Sequence, residues 1–405
     1  MSEYQILTVL AVFAFLYSIV ASRLEKTPIS GAVIYLFAGM ICGAHGLKLI
    51  DMNVDADGLS TLAELTLSLV LFADSATADL AVLNKAKWIP IRLLLIGLPL
   101  TIAAGFMLGY VMFDQLAIFE VALLATMLAP TDAALGQAVV TNESVPSRIR
   151  QSLNVESGLN DGICVPVLLV FLALASGQVS GEETASLIAR LPLQAIGYGA
   201  GVGLLTAFFG SVAIRSCSGL GWISGAWTQV PVVALAFACF AIAQWIGGSG
   251  FIACFVGGML FGGLTKSQKE EVLNGAEGTG NVLSLLTWFT FGAFAAGPSI
   301  DQLSWQVVVY AILSLTVVRM APVMLCLIGI PMRFDTQVFL GWFGPRGLAS
   351  IVFIVMVMNA RLPGNDTLVA VVAWTVALSI IAHGISAVPF AKVYGRRVAD
   401  RDGVE

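Results

Sequence analysis

Charge is the scarcest commodity in this sequence: 11% of its 405 residues are charged, against 58% that are hydrophobic. A soluble domain carries about 25% charged residues, so a water-soluble globule is excluded. Histidine occurs only twice, and the six cysteines show neither CxxC nor Cys/His spacing. That pattern argues against a metal centre or redox dithiol and predicts buried free thiols. The net charge is −5 and the cations are scattered, with no basic stripe, so nucleic acid is excluded as a partner. No cofactor motif is present either. The opening Met1-Ser2-Glu3-Tyr4 lacks the cationic start of a cleaved signal peptide, so the first apolar run is expected to be a retained helix. No stretch between the apolar runs offers room for a soluble domain, and only a stub is expected after Val393.

What the chain does have is long apolar blocks. Residues 89–112 and 307–330 are each long enough to cross about 30 Å of hydrocarbon as helix. The expected fold is an all-α polytopic membrane protein of about thirteen transmembrane helices, forming a single membrane domain. The segments fall into a first repeat at about 5–175, a connector at about 185–216 and a second repeat at about 230–393. The third (59–73) and ninth (250–263) are short. The fifth is placed at 117–140, the sixth at 151–175, the tenth at 280–296, the eleventh at 303–330, the twelfth at 336–359 and the thirteenth at 367–393.

Cation placement supports an odd number of crossings. With the N-terminus outside, the inner side receives Arg23, Lys26, Lys85, Lys87, Arg92, Arg148, Arg150, Arg215, Lys266, Lys269, Arg333, Lys392, Arg396, Arg397 and Arg401. The outer side receives Lys48, Arg190 and Arg361. This asymmetry predicts an external N-terminus and a cytoplasmic C-terminus; the expected location is a prokaryotic inner (plasma) membrane. Arg319 and Arg346 are left inside the bilayer.

An ionisable side chain at the bilayer centre costs at least ~2.5 kcal/mol on insertion scales, which makes such residues functional candidates. The fifth segment carries Pro130-Thr131-Asp132 and the sixth Glu156-Ser157-Gly158-Leu159-Asn160-Asp161-Gly162. The twelfth carries Gly344-Pro345-Arg346-Gly347 and the eleventh Arg319. Ser157 and Asp161, four apart, share a helix face with Asn160 beside them, whereas Glu156 falls on a different flank. One face therefore offers hydroxyl, amide and carboxylate oxygens, the donor set of a small hard cation. Pro130 lacks a backbone donor and disrupts the preceding turn, which frees carbonyls next to Thr131 and Asp132. Gly344, Pro345 and Gly347 interrupt the twelfth segment in the same way. The two interrupted segments are seven apart, so they run in opposite directions through the membrane. Broken helices at matching positions in two halves point to inverted-topology repeats and a transporter's midplane site.

Other polar and glycine-rich features read as structural. Glu64 and Asp74 stand between helix-end solvation and function. The Gly197–Gly203 run has no preceding strand and is expected in close helix packing, as are Gly257, Gly258, Gly262 and Gly263. His45 is expected to be solvated or capping and His383 a packing residue, with pH sensing as the alternative for both.

Taken together, the Pro130-Thr131-Asp132 string, the Glu156-to-Gly162 string and Gly344-Pro345-Arg346-Gly347 resemble the sodium/proton exchangers of the cation–proton antiporter superfamily, nearest to its NhaP-like bacterial and archaeal branch. The resemblance implies two inverted six-helix repeats, a mobile core domain, a dimerisation domain, and crossing broken helices five and twelve. It implies that Asp161 binds either a cation or a proton, that Thr131, Asp132 and Ser157 complete the site, and that Asn160 lies beside them. Na+ would be held by Asp161, Ser157 and Thr131. It also implies an ion pair between Glu156 and an intramembrane arginine, Arg319 in first place and Arg346 in second. An Asn-Asp pair in place of Asp-Asp, and a tenth segment without lysine, are similar to the electroneutral exchangers. The third segment departs from the commonest pattern, reading Phe72-Ala73-Asp74-Ser75 where relatives often carry an acidic residue followed by glycines. Some relatives carry regulatory cytoplasmic tails, and none is expected here.

The expected activity is antiport of Na+ (or Li+ or K+) for H+ without a cofactor, in a homodimer, and not an enzymatic reaction. Burial penalises a bare carboxylate charge, so Asp161 would trade a proton for a cation, and a core domain that moves only when neutralised would give alternating access. Two rivals are a sodium/organic-anion symporter of related fold and an intramembrane aspartyl protease. The first would favour neutral polar groups at its site, and the second a Gly-x-Gly-Asp string where this chain has Gly158-Leu159-Asn160-Asp161. A cation channel would need a selectivity-filter string.

Overall fold

Inside a bilayer every backbone N–H and C=O needs a partner within the protein, and continuous helix supplies one locally. A computed structural model describes residues 3–24, 30–50, 56–78, 82–83, 86–133, 135–177, 182–265 and 269–402, which form helices and no strand. Lys26, Lys85, Lys266 and Ala134 lie outside the described residues.

In chain order the helices are α1 (Glu3–Leu24), α2 (Gly31–Cys42), α3 (Ala56–Thr77), α4 (Trp88–Met112), α5 (Ile118–Met127) and α6 (Ser147–Ala175). They continue as α7 (Glu182–Gly219), α8 (Val230–Trp245), α9 (Gly250–Leu264), α10 (Lys269–Phe291), α11 (Trp305–Leu315) and α12 (Val317–Cys326). The last three are α13 (Phe334–Trp342), α14 (Leu348–Asn359) and α15 (Asn365–Asp402). Among the described residues, seven spans are long and apolar enough to cross a membrane, within α1, α3, α4, α6, α7, α11–α12 and α15, and five shorter apolar helices accompany them.

Hydropathy misplaces several boundaries. The third segment is not short, since α3 covers 22 residues. The tenth begins well before residue 280: α10 starts at Lys269, its polar first turns hiding it from a hydropathy window, and a π turn at Gly292–Ala296 ends it. The eleventh is kinked at Thr316, whose φ of −109° and ψ of −89° are not helical, although no proline occupies that point. Of the cysteines, four are buried and Cys42 and Cys217 only partly so; all six are free.

Small residues let helices approach around the site. A side chain at Gly199 or Gly203 of α7 would meet the backbone of α9 at Ser249 and Ala253, and one at Gly258 or Gly262 of α9 would meet Phe72 and Ala76 of α3. Helix α9 thus lies directly against α3, and its Phe255 and Ile252 fill the space over Gly158 and Gly162 of α6. His45 pairs with Asp301 at 2.8 Å.

Candidate functional site

Two interrupted helices build the site. Helix α5 stops at Met127 and only the short turn Gln137–Val140 follows it before α6. Helix α13 stops at Trp342 and α14 begins at Leu348. Proline in each gap explains the loss of helix, and the free backbone groups then need other partners.

The two gaps supply partners to each other. The Asp132 N–H donates to Pro345 O at 2.7 Å, and the Asp132 carboxylate accepts from the Leu348 N–H at 2.9 Å and from the Leu135 N–H at 3.2 Å. In return the Arg346 Nη1 donates to Ala129 O and, at 3.0 Å, to Pro130 O. Ser350 of α14 donates to Met127 O at 2.8 Å, the carbonyl that ends α5. Asp132 sits at the amino end of α14, where aligned peptide dipoles favour a negative charge. The approach is close enough to demand glycine: a Cβ on Gly347 would overlap the Asp132 carboxylate, and one on Gly344 would run into Arg319 and Thr131. The carbonyls that Pro130 frees are therefore used by Arg346, which corrects the expectation that they stand open beside the site.

Helix α6 lays its polar face against this crossing. Ser157 Oγ is 2.8 Å from Thr131 Oγ1. Asn160 accepts from the Thr131 N–H at 3.2 Å and donates to Thr131 Oγ1 at 2.8 Å. Asn160 thus holds the Thr131 turn and is not bonded to Asp132 by any of these contacts. Asp161 is 3% exposed, and its Oδ1 has no hydrogen-bond partner among the described residues. Glu156, on the other flank, lies 2.6 Å from Arg319 Nη1, both side chains being buried. Of the two arginines considered as its partner, Arg319 makes this contact and Arg346 is spent on the carbonyls of 129 and 130.

Asp161, Asp132 and Ser157 line a cavity of about 10 Å³ together with Asp74, Asn154, Gly158 and Phe255. That is close to the space of one water-sized sphere, so the cavity suits a single small ion. Asp74, which hydropathy left undecided, enters from the last turns of α3, and its carbonyl accepts from Asn154 Nδ2 at 3.4 Å. Its only signal in the sequence was a carboxylate near the end of an apolar run.

The family model described as "Sodium/hydrogen exchanger, transmembrane" matches residues 10–393. The K(+)/H(+) antiporter NhaP2 of Shewanella sp. (strain MR-4) is 24% identical over 97% of this chain and 67% of its own length. The Na(+)/H(+) antiporter of Schizosaccharomyces pombe is 23% identical over 89% of this chain and 84% of its own. The sodium proton antiporter MjNhaP1 from Methanocaldococcus jannaschii, solved at pH 8, shares the fold with a TM-score of 0.76 at 19% identity, over 96% of this chain and 98% of that one. The chain belongs to the sodium/hydrogen exchanger family, within its NhaP-like members. That family consists of cation:proton antiporters, which are transporters and not enzymes, and this sets the protease reading aside.

Proposed function

We propose that this member of the sodium/hydrogen exchanger family exchanges an alkali cation for a proton across the membrane, one for one, with Asp161 as the shared site. The observation that carries the reading is the unpartnered, buried Asp161 Oδ1 on a single-ion cavity that Asp74, Asp132 and Ser157 also line. A carboxylate taken out of water is stable only when something neutralises it, and either a proton or a monovalent cation can do so. The two ligands exclude each other, so the cycle returns each in turn. Hard cations prefer oxygen, which Asp161, Ser157, Asp74 and the Thr131 region offer. The charge of Asp132 is engaged by two backbone N–H groups, so its part is to hold the crossing and not to carry a second proton. Asn160 supports it by fixing Thr131.

The same reading includes thirteen crossings in two inverted repeats, an external N-terminus, an inner-membrane location and a homodimer. The cation asymmetry supports an odd number of crossings and the external N-terminus, and the fold shared with MjNhaP1 supports the topology. Alternating access follows if the domain built on the α5/α13–α14 crossing moves only when its charge is neutralised. Relatives are named for both Na+ and K+, so the deciding experiment measures proton flux in proteoliposomes with Na+, Li+ and K+ supplied in turn. Flux driven by one or more of these cations is expected. No flux with any of them would refute the reading.

A further inference from the structure

Helix α15 is apolar through its middle, yet it places Ser379, His383 and Ser386 at spacings of four and three, along one face. All three are used on the interrupted segment. The Arg346 N–H donates to Ser379 Oγ at 2.7 Å, inside the break. His383 Nε2 lies 2.8 Å from Trp342 O, the last carbonyl of α13. The Trp342 indole N–H donates to Ser386 Oγ at 2.9 Å, and the Trp342 and His383 rings lie 5.2 Å apart. On the other side of the imidazole, Nδ1 lies 3.2 Å from Ser379 Oγ and 2.8 Å from Ser379 O.

The Arg346 N–H donates to Ser379 Oγ, and the imidazole meets an accept-only carbonyl on each side, Ser379 O at Nδ1 and Trp342 O at Nε2. The contacts form one chain from the Arg346 N–H through Ser379 and His383 to Trp342 O. It ties the carboxyl end of α13 and the middle of the break to a single turn of α15.

The consequence reaches the cavity. Arg346 is flanked in sequence by Pro345, whose carbonyl accepts from the Asp132 N–H, and nearby Leu348, whose N–H donates to the Asp132 carboxylate. Fixing the Arg346 peptide therefore fixes the two contacts that Asp132 makes with this break, and Asp132 lines the cavity beside Asp161. We infer that the Ser379–His383–Ser386 stripe of α15 is the positioning element of the transport site, with His383 and Ser379 setting cation affinity through the 343–347 backbone without touching the ion. This rests on the exchange activity proposed above.

The test uses the full chain in two measurements that fail separately. In proteoliposomes, Ser379→Ala and His383→Leu should raise the cation concentration for half-maximal exchange by about tenfold, the scale of one lost hydrogen bond, with a much smaller change in maximal rate. His383→Gln keeps a donor for Trp342 O and should recover most of the affinity. A lowered maximal rate with unchanged half-saturation in both variants would overturn the inference, since that is what a merely structural role produces. Amide hydrogen exchange, which needs no transport, should show faster exchange at the Arg346 and Leu348 peptides in His383→Leu. Unchanged protection there would overturn it too. If wild-type protein itself exchanges no cation, the proposed function fails, and the amide measurement still decides whether the stripe holds the break.

Discussion

Asp132 and Arg346 each bind the other's broken helix. The Asp132 main chain and carboxylate take Pro345 O and the Leu348 N–H, while the Arg346 guanidinium takes Ala129 O and Pro130 O. Each charge thus meets backbone groups that the other gap leaves open, and these bonds tie the two breaks together. Asp161, on α6, lines the cavity with a buried carboxylate oxygen that has no hydrogen-bond partner among the described residues.

Asp161→Asn should abolish cation-driven proton flux while the protein remains folded in detergent. The amide nearly matches the carboxylate in shape but neither takes up the proton nor carries the charge that a cation replaces. Size-exclusion and thermal melting would confirm the fold. Residual cation-dependent flux in this variant would sink the shared-site reading.

Competition at one carboxylate also shapes the pH dependence. At low pH the proton holds Asp161 and cation release dominates; at high pH protons are too scarce to complete the cycle. Exchange should therefore peak and fall on both sides, and raising the cation concentration should move the acid limb to lower pH. A limb that stays put as cation is raised would argue against competition.

Breaking one member of a buried ion pair typically costs about 3–5 kcal/mol, because the other charge is left uncompensated. Glu156→Ala and Arg319→Ala should each destabilise the protein on that scale, and the double variant should lose clearly less than their sum. Thermal unfolding of the four proteins completes the cycle. Simple additivity would mean that the 2.6 Å contact contributes no coupling.

Gly347→Ala should be poorly tolerated, because its Cβ would occupy the space of the Asp132 carboxylate. Forcing an atom into a packed contact costs typically about 1–3 kcal/mol, and here the displaced group also lines the cavity. We expect lower thermal stability and weaker cation affinity together. Gly197→Ala, where no atom lies within 4 Å of the added carbon, serves as the control.

A one-for-one cycle moves no net charge. Exchange should be indifferent to an imposed membrane potential, although each uncompensated charge would gain about 2.3 kcal/mol per 100 mV. Flux that follows voltage would mean that a second acid titrates, with Asp74 and Asp132 the candidates on the cavity wall. Asp74→Asn would then separate the two: if Asp74 is only a cation ligand, its loss weakens half-saturation and leaves the cycle electrically silent.

Much of this was legible in the order of residues. Long apolar blocks point to spanning helices because only helix satisfies its backbone within one segment in hydrocarbon, and carboxylates or arginines inside such blocks stand out by their cost. Prolines and glycines mark where α5 and α13 must stop, since a missing donor or a missing Cβ is a local property. The face shared by Ser157, Asn160 and Asp161 follows from helical spacing alone. What the chain order left open concerns pairing across space. Glu156 could have met either arginine, and only the packing of α12 against α4, α11 and α13 brings Arg319 to it while Arg346 turns to the carbonyls of 129 and 130. Asp74 is far from Asp161 in sequence and reaches the cavity because glycines of α9 let α3 lie close. The stripe on α15 reads as ordinary packing until the break it faces is known. Helical periodicity fixes which residues share a face, but a hydrogen bond between distant segments depends on positions set by every packed helix at once, and so only the assembled structure decides it.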